Sequence, residues 1–89
     1  MRIEFDAAKD VTNLKKHGVA LAEAAALNWD SLRAKPDTRR EYEEIRMIGY
    51  ALMGERLCCV VFTDRGRQRR IISLRKANLK EVRAYAVGN

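Results

Sequence analysis

One proline, one histidine and two cysteines in 89 residues leave several classes of protein without their chemistry. The cysteines, Cys58 and Cys59, are neighbours in an apolar run, where adjacent side chains of a strand point to opposite faces. They suit neither a disulfide nor a pair of metal ligands, and read as small buried hydrophobes in a reducing cytosol. With one imidazole besides, three convergent metal ligands are not to be found at any usual spacing, so neither a metal nor another cofactor is expected. Glycine-rich phosphate cradles and nucleophilic serine motifs are missing too. No apolar run approaches the roughly 18 residues of a membrane span, and the charged, alternating N-terminus is not that of a signal peptide. The expectation is a soluble, cytoplasmic chain with no membrane partner.

What the chain does have is positive charge. Lys and Arg number 18 against 12 Asp and Glu, a formal net charge of +6, which attracts nucleic acid or an acidic protein, although an excess of this size also serves ordinary solubility. The length fits one small domain, residues 1–89, that buries about 60 to 65% of its unfolded surface.

Arg2-Ile3-Glu4-Phe5 alternates as a half-buried strand does, and Asp6 is placed to cap a helix running to about His17. Val11 and Leu14 form its apolar stripe, Lys15 and Lys16 suit the negative end of its dipole, and Gly18 stands at the left-handed cap. A second, alanine-rich helix is expected from Ala20 to Leu27. Trp29 to Glu41, polar and containing Pro36, reads as an irregular loop with at most a short edge strand. Three apolar-rich runs follow, about Glu44–Met53, Arg56–Thr63 and Gln68–Arg75, joined by Gly54-Glu55 and by Asp64-Arg65-Gly66-Arg67, which predicts an antiparallel meander. Asn78 and Glu81 then form the capping box of a last helix, with Leu79, Val82 and Ala86 on its inner face. The fold class is α+β: strand, helix, helix, three-stranded meander, helix.

Around Arg70-Ile71-Ile72-Ser73-Leu74-Arg75-Lys76-Ala77, cations flank a β-branched strand for no reason of sheet stability, and an anion, phosphate first, would explain them. Pairing Met53 with Arg56 and Thr63 with Gln68 puts Arg46, Ile48, Tyr50, Cys59, Val61, Arg70 and Ile72 on one face. Met47, Gly49, Val60, Phe62, Ile71, Ser73 and Arg75 then take the other, unless a bulge near Lys76 turns Arg75 over. Simpler roles compete for each residue. His17 suits a helix C-terminus by charge alone; Glu44 and Arg46 make a surface ion pair; Glu81 is accounted for by its cap; Tyr85 is core or lid; Arg65, Arg67 and Arg69 make a solvated basic patch. The six aromatics are assigned mostly to core positions.

Taken together, Asn13-Leu14-Lys15-Lys16-His17-Gly18-Val19, Glu23-Ala24, Glu44-Ile45-Arg46 with Gly49, and Arg70 to Ala77 with Glu81 and Tyr85 resemble the BrnT family of bacterial type II toxins. The resemblance covers nearly the whole chain in order, the loop from Trp29 to Glu41 excepted. It implies a fold like that of RelE-type ribonucleases, RNA cleavage that inhibits translation, and a BrnA-like ribbon-helix-helix antitoxin through which the pair reaches DNA only indirectly. A metal-free ribonuclease has to activate a ribose 2′-hydroxyl, stabilise the phosphorane and protonate the leaving 5′-oxygen. Arginine forks suit the second task. Arg46 and Arg75 are therefore the catalytic cations, with Arg70, Lys16 and Lys76 as substrate contacts, and His17 is the first candidate acid or base. The competing readings are a basic RNA-binding module that cuts nothing and a protein-interaction subunit.

Overall fold

A computed structural model describes residues 1–88. In chain order the elements are β1 (Arg2–Glu4), α1 (Ala7–His17), a 3₁₀ helix (Leu21–Ala26), β2 (Asn28–Pro36), β3 (Met47–Met53), β4 (Arg56–Arg65), β5 (Gln68–Lys76) and α2 (Leu79–Ala86). The architecture is α+β. One five-stranded sheet runs in the order β1-β5-β4-β3-β2, with β1 parallel to β5 and the other neighbours antiparallel.

Both ends of α1 lie where its sequence signals them. The Asp6 carboxylate accepts from the N–H groups of Ala8 and Lys9 at 2.9 and 3.0 Å, satisfying first-turn donors that have no helical partner. Gly18, at φ 73°, closes the helix with its N–H on the Leu14 carbonyl. The buried side of α1 differs from expectation. Val11 and Leu14 are 53% and 49% exposed, whereas Asn13 is buried. The reason lies in the sheet, because β1 pairs with only the first three residues of β5, Gln68 to Arg70. Farther along, the Asn13 carboxamide takes the place of a neighbouring strand: it accepts from the Leu74 N–H at 3.3 Å and donates to the Leu74 and Val19 carbonyls, both at 2.7 Å. A primary amide offers the same donor and acceptor as a peptide group. Asn13→Ala strands these buried backbone groups and should lower stability by about 2 kcal/mol, measured by urea unfolding.

Two expected elements change type. The alanine-rich segment is a 3₁₀ helix and not an α-helix. Its buried residues Leu21 and Ala24, with Leu27 just beyond, recur every third position, the period at which 3₁₀ side chains eclipse. Glu23 accepts the Ala20 N–H and Asp10 the Ala22 N–H, which ties the short turn to α1. The expected loop holds strand β2, ending at Pro36, so the antiparallel part of the sheet has four strands and not three. As an edge strand β2 pairs on one side only, and Arg33, Ala34 and Lys35 are exposed.

The core lies between one sheet face and the segment around the 3₁₀ helix. Ala51, Cys58, Val60, Phe62, Ile71 and Leu74 pack against Val19, Leu21, Ala24 and Leu27. Gly54 and Gly66 carry φ of 60° and 59° at the first turn position of the two hairpins, the geometry that brings twisted strands back into register. Met53 faces Arg56 as expected. The second hairpin is tighter than expected: only Gly66 and Arg67 turn, Arg65 faces Gln68, and Thr63 faces Arg70 rather than Gln68.

Candidate active site

The sheet face turned away from the core is where the cations gather, and a bulge puts them there. Phe62 faces Ile71, but the next residue, Val61, faces Ser73, so Ile72 is an extra residue in β5. Before it Arg70 lies opposite Thr63; after it Arg75 lies opposite Cys59. The expectation that Arg75 and Ser73 take the face opposite Arg46 and Arg70 is thereby corrected, and both Arg70 and Arg75 share the outer face. The bulge sits four residues earlier than the strand exit near Lys76 where one was anticipated.

Cross-strand neighbours then fall into rows. Tyr50, Cys59 and Arg75 form one, continued by Arg33 on β2; Ile48, Val61 and Ser73 form the next. At the far end Thr63 and Arg70 align with Arg46, which immediately precedes β3. Strand geometry separates the Arg75 and Arg70 rows by about 13 Å along β4, and Arg46 from Arg70 by about 10 Å across it. The floor between them is buried Cys59, Val61 and Thr63; burial also pushes the Cys59 thiol up, so it stays protonated.

Arg75 is held from above by α2. Its Nη1 and Nη2 donate to Glu81 Oε1 and Oε2 at 2.7 and 2.8 Å, while the Tyr50 hydroxyl donates to Glu81 Oε2 at 2.7 Å. The capping box expected for Asn78 and Glu81 is present in both directions, so Glu81 caps its helix and grips Arg75 at once. The helix face is not the expected one. Leu79, Val82 and Ala86 are exposed, and Glu81 with Tyr85, four residues apart, look down onto the sheet. Tyr85 is fixed there: the Arg33 guanidinium lies 4.3 Å over its ring and donates to its carbonyl at 2.7 Å, and its hydroxyl donates to the Ser31 carbonyl.

These contacts set charge states. The hydrogen-bonded Arg75 holds the Glu81 carboxyl down to about 2, a carboxylate at neutral pH. Burial, and then the bond to Glu81, pushes the Tyr50 phenol up to about 12, a neutral donor. A carboxyl depressed in the folded state contributes stability that is complete above its ordinary value, 4.5, and is lost as pH falls toward about 2. Acid titration of melting temperature should therefore show a decline through that window that is smaller in Glu81→Gln.

The far end is covered by the segment after β2. Asp37 is buried, with its N–H on the Arg46 carbonyl at 2.7 Å. Its carboxylate takes the Arg39 fork at 2.8 Å on both oxygens, and this pairing holds it down to about 2. The Tyr42 hydroxyl reaches Asp37 at 3.4 Å, the Arg46 guanidinium lies 4.2 Å over the Tyr42 ring, and Thr63 donates to the Ile45 carbonyl at 2.7 Å. Glu44 pairs with Arg65 at 2.7 Å rather than with Arg46.

Of the six residues singled out in the sequence, Arg46, Arg70 and Arg75 share the outer face. Among the described residues Arg70 has only a loose partner, Glu4 at 3.9 Å. Lys76 lies opposite Cys58, on the core side of the strand end, and Lys16 is exposed on α1. His17 is half-buried at the end of α1 and makes no hydrogen bond or ion pair among the described residues. It shares a helix face with Asn13, four residues earlier, which grips Leu74 beside Arg75. The expected solvated patch is divided: Arg65 pairs with Glu44, and Arg69 bonds Asp64 while stacking on Phe62 and Trp29 at 4.2 and 4.9 Å. Sequence reasoning missed Arg33, Asp37, Arg39 and Tyr42, all of them in or beside the stretch taken for a loop. It assigned Tyr50 to the right face without its hydrogen bond.

Comparison with curated proteins gives no match. A family model described as ribonuclease toxin, BrnT, of type II toxin-antitoxin system matches residues 5–81, from the residue after β1 to the glutamate that holds Arg75. The chain belongs to the BrnT family of ribonuclease toxins.

Proposed function

We propose that this chain cleaves RNA on the outer sheet face without a metal ion, and that a BrnA-like ribbon-helix-helix antitoxin neutralises it in the cytoplasm. The observation that carries the reading is the Arg75–Glu81–Tyr50 cluster. Glu81 fixes the guanidinium plane, yet the Nε–H and one Nη2 proton of Arg75 are not taken by Glu81 or by the Lys76 carbonyl, the fork's other acceptor. Those donors meet the non-bridging oxygens of a phosphate and strengthen as charge builds on the phosphorane. Arg46 and Arg70 hold the backbone farther along the strand, and Lys16 and Lys76 flank the approach. His17, the one imidazole of the chain, exchanges the protons of the 2′-hydroxyl and the 5′-oxygen. The α-helix and 3₁₀ helix of the N-terminal half, packed against a mostly antiparallel sheet that carries arginines on its open face, are consistent with a RelE-like arrangement.

The test is cleavage of end-labelled RNA by the purified chain in excess chelator. Products ending in a 2′,3′-cyclic or 3′-phosphate opposite a 5′-hydroxyl are expected, as is complete protection by a 2′-deoxy substitution at the cut site. Cleavage that needs a divalent ion, or that leaves a 3′-hydroxyl, overturns the reading.

A further inference from the structure

Beyond the arginine rows the chain has an open pocket of about 670 Å³ formed by Pro36 to Arg46, within the range of small-ligand sites. Its construction is more deliberate than a surface loop needs. Asp37 is sunk to 1% side-chain exposure and gathers the Arg39 fork and the Tyr42 hydroxyl around itself. That arrangement holds the Tyr42 ring against Arg46, whose guanidinium covers one face of a ring still partly exposed.

We propose that Tyr42, backed by Arg46, is the stacking platform for one unpaired nucleobase of the RNA substrate. Three observations converge on it. An aromatic ring and a guanidinium plane are the two surfaces on which splayed-out bases stack, and here they are already stacked on each other. Arg46 stands in the row of Arg70, so a base on Tyr42 belongs to a strand whose phosphates pass over the arginine face; a guanidinium stacks through its plane while donating through its edge. The pocket is also lined by Glu41 and Glu43 together with Arg39 and Arg40. Acceptors and donors side by side fit the edge of a base, whereas a phosphate site would exclude the carboxylates. The platform gives the enzyme a nucleotide preference at a fixed distance from the bond it cuts.

The inference rests on the ribonuclease reading, so its test is a binding measurement that needs no cleavage. Oligoribonucleotides made uncleavable by 2′-deoxy substitution are scanned with single abasic positions. Against the wild-type chain one position should cost about tenfold in affinity. Tyr42→Leu should lose the same factor on intact RNA and become insensitive to the abasic position, while Tyr42→Phe, which keeps the ring and loses the bond to Asp37, should keep its sensitivity to that position. A flat abasic scan overturns the proposal, and so does equal weakening of intact and abasic RNA by Tyr42→Leu, which would assign Tyr42 a purely structural part. If Tyr42→Leu does not fold, the wild-type ring resonances decide. Upfield shifts of Tyr42 with intact oligonucleotide, absent with the abasic one, support the platform, and identical shifts with both refute it. Loss of RNA binding in every arm would instead strike at the ribonuclease site itself.

Discussion

Arg75→Ala should slow RNA cleavage by about a hundredfold or more, and its expression without antitoxin should no longer arrest growth. The substitution removes the charge and the two N–H donors that Glu81 and the Lys76 carbonyl leave available. It also leaves Glu81 beside Tyr50 alone, so that α2 docks less firmly and the carboxyl loses the partner that depresses it. Two further variants separate these consequences. Glu81→Gln keeps Arg75 and a neutral contact for it; if α2 docking alone governed activity, this variant would fall as far as Arg75→Ala. Arg75→Lys retains a charge but not the planar fork that Glu81 and a phosphate can share, and should recover only a small part of the rate. Single-turnover rates set against melting temperatures give the answer. A folded Arg75→Ala chain cutting RNA at the wild-type rate would remove Arg75 from the site.

The parts of this arrangement that could be read from the sequence are those fixed by local chemistry. Asp6, Gly18, Asn78 and Glu81 act within one helical turn of themselves, and each caps as its residue type requires. Apolar alternation likewise placed β3 to β5 and put Arg46 with Arg70. What escaped depends on partners distant in the chain. The bulge at Ile72 is set by β4, and no residue preference marks it, since Ile71 and Ile72 are chemically identical. Asn13 is polar and buried because β1 is too short to cover Leu74. With Asn13 inward, Val11 and Leu14 turn out to solvent against their own hydropathy. On α2 the polar Glu81 and Tyr85 face inward for the same kind of reason: the surface beneath offers Arg75, Tyr50 and the Ser31 carbonyl. Edge strand β2 has no apolar alternation to betray it, and the residues hidden with it are those that surround both ends of the arginine face. The family resemblance supplied Arg75 where alternation supplied Arg70; the bulge puts both on one face.

Gly49→Ala is expected to destabilise the chain by about 3 kcal/mol and to lower cleavage by more than the loss of folded protein accounts for. Gly49 faces Ala34 across the β2–β3 ladder, and a Cβ there would lie 2.6 Å from the Arg33 carbonyl oxygen and 2.7 Å from the Ala34 Cβ. Its backbone angles are open to any residue, because Gly49 is not among the positive-φ glycines; the constraint is space alone. Two of the three obstructing atoms are backbone, so relief requires β2 itself to move. That strand holds Ser31 and Arg33, the residues that fix Tyr85, and through Tyr85 the helix that places Glu81 on Arg75. A shift of the sheet edge is thus transmitted to the opposite end of the Tyr50–Cys59–Arg75 row. Adding Ala34→Gly removes one obstruction and leaves the Arg33 carbonyl, so the double variant should regain part of the stability. Urea unfolding paired with cleavage rates measured where every variant is fully folded separates the two effects. An unchanged unfolding midpoint would mean that β2 yields to the added methyl without cost.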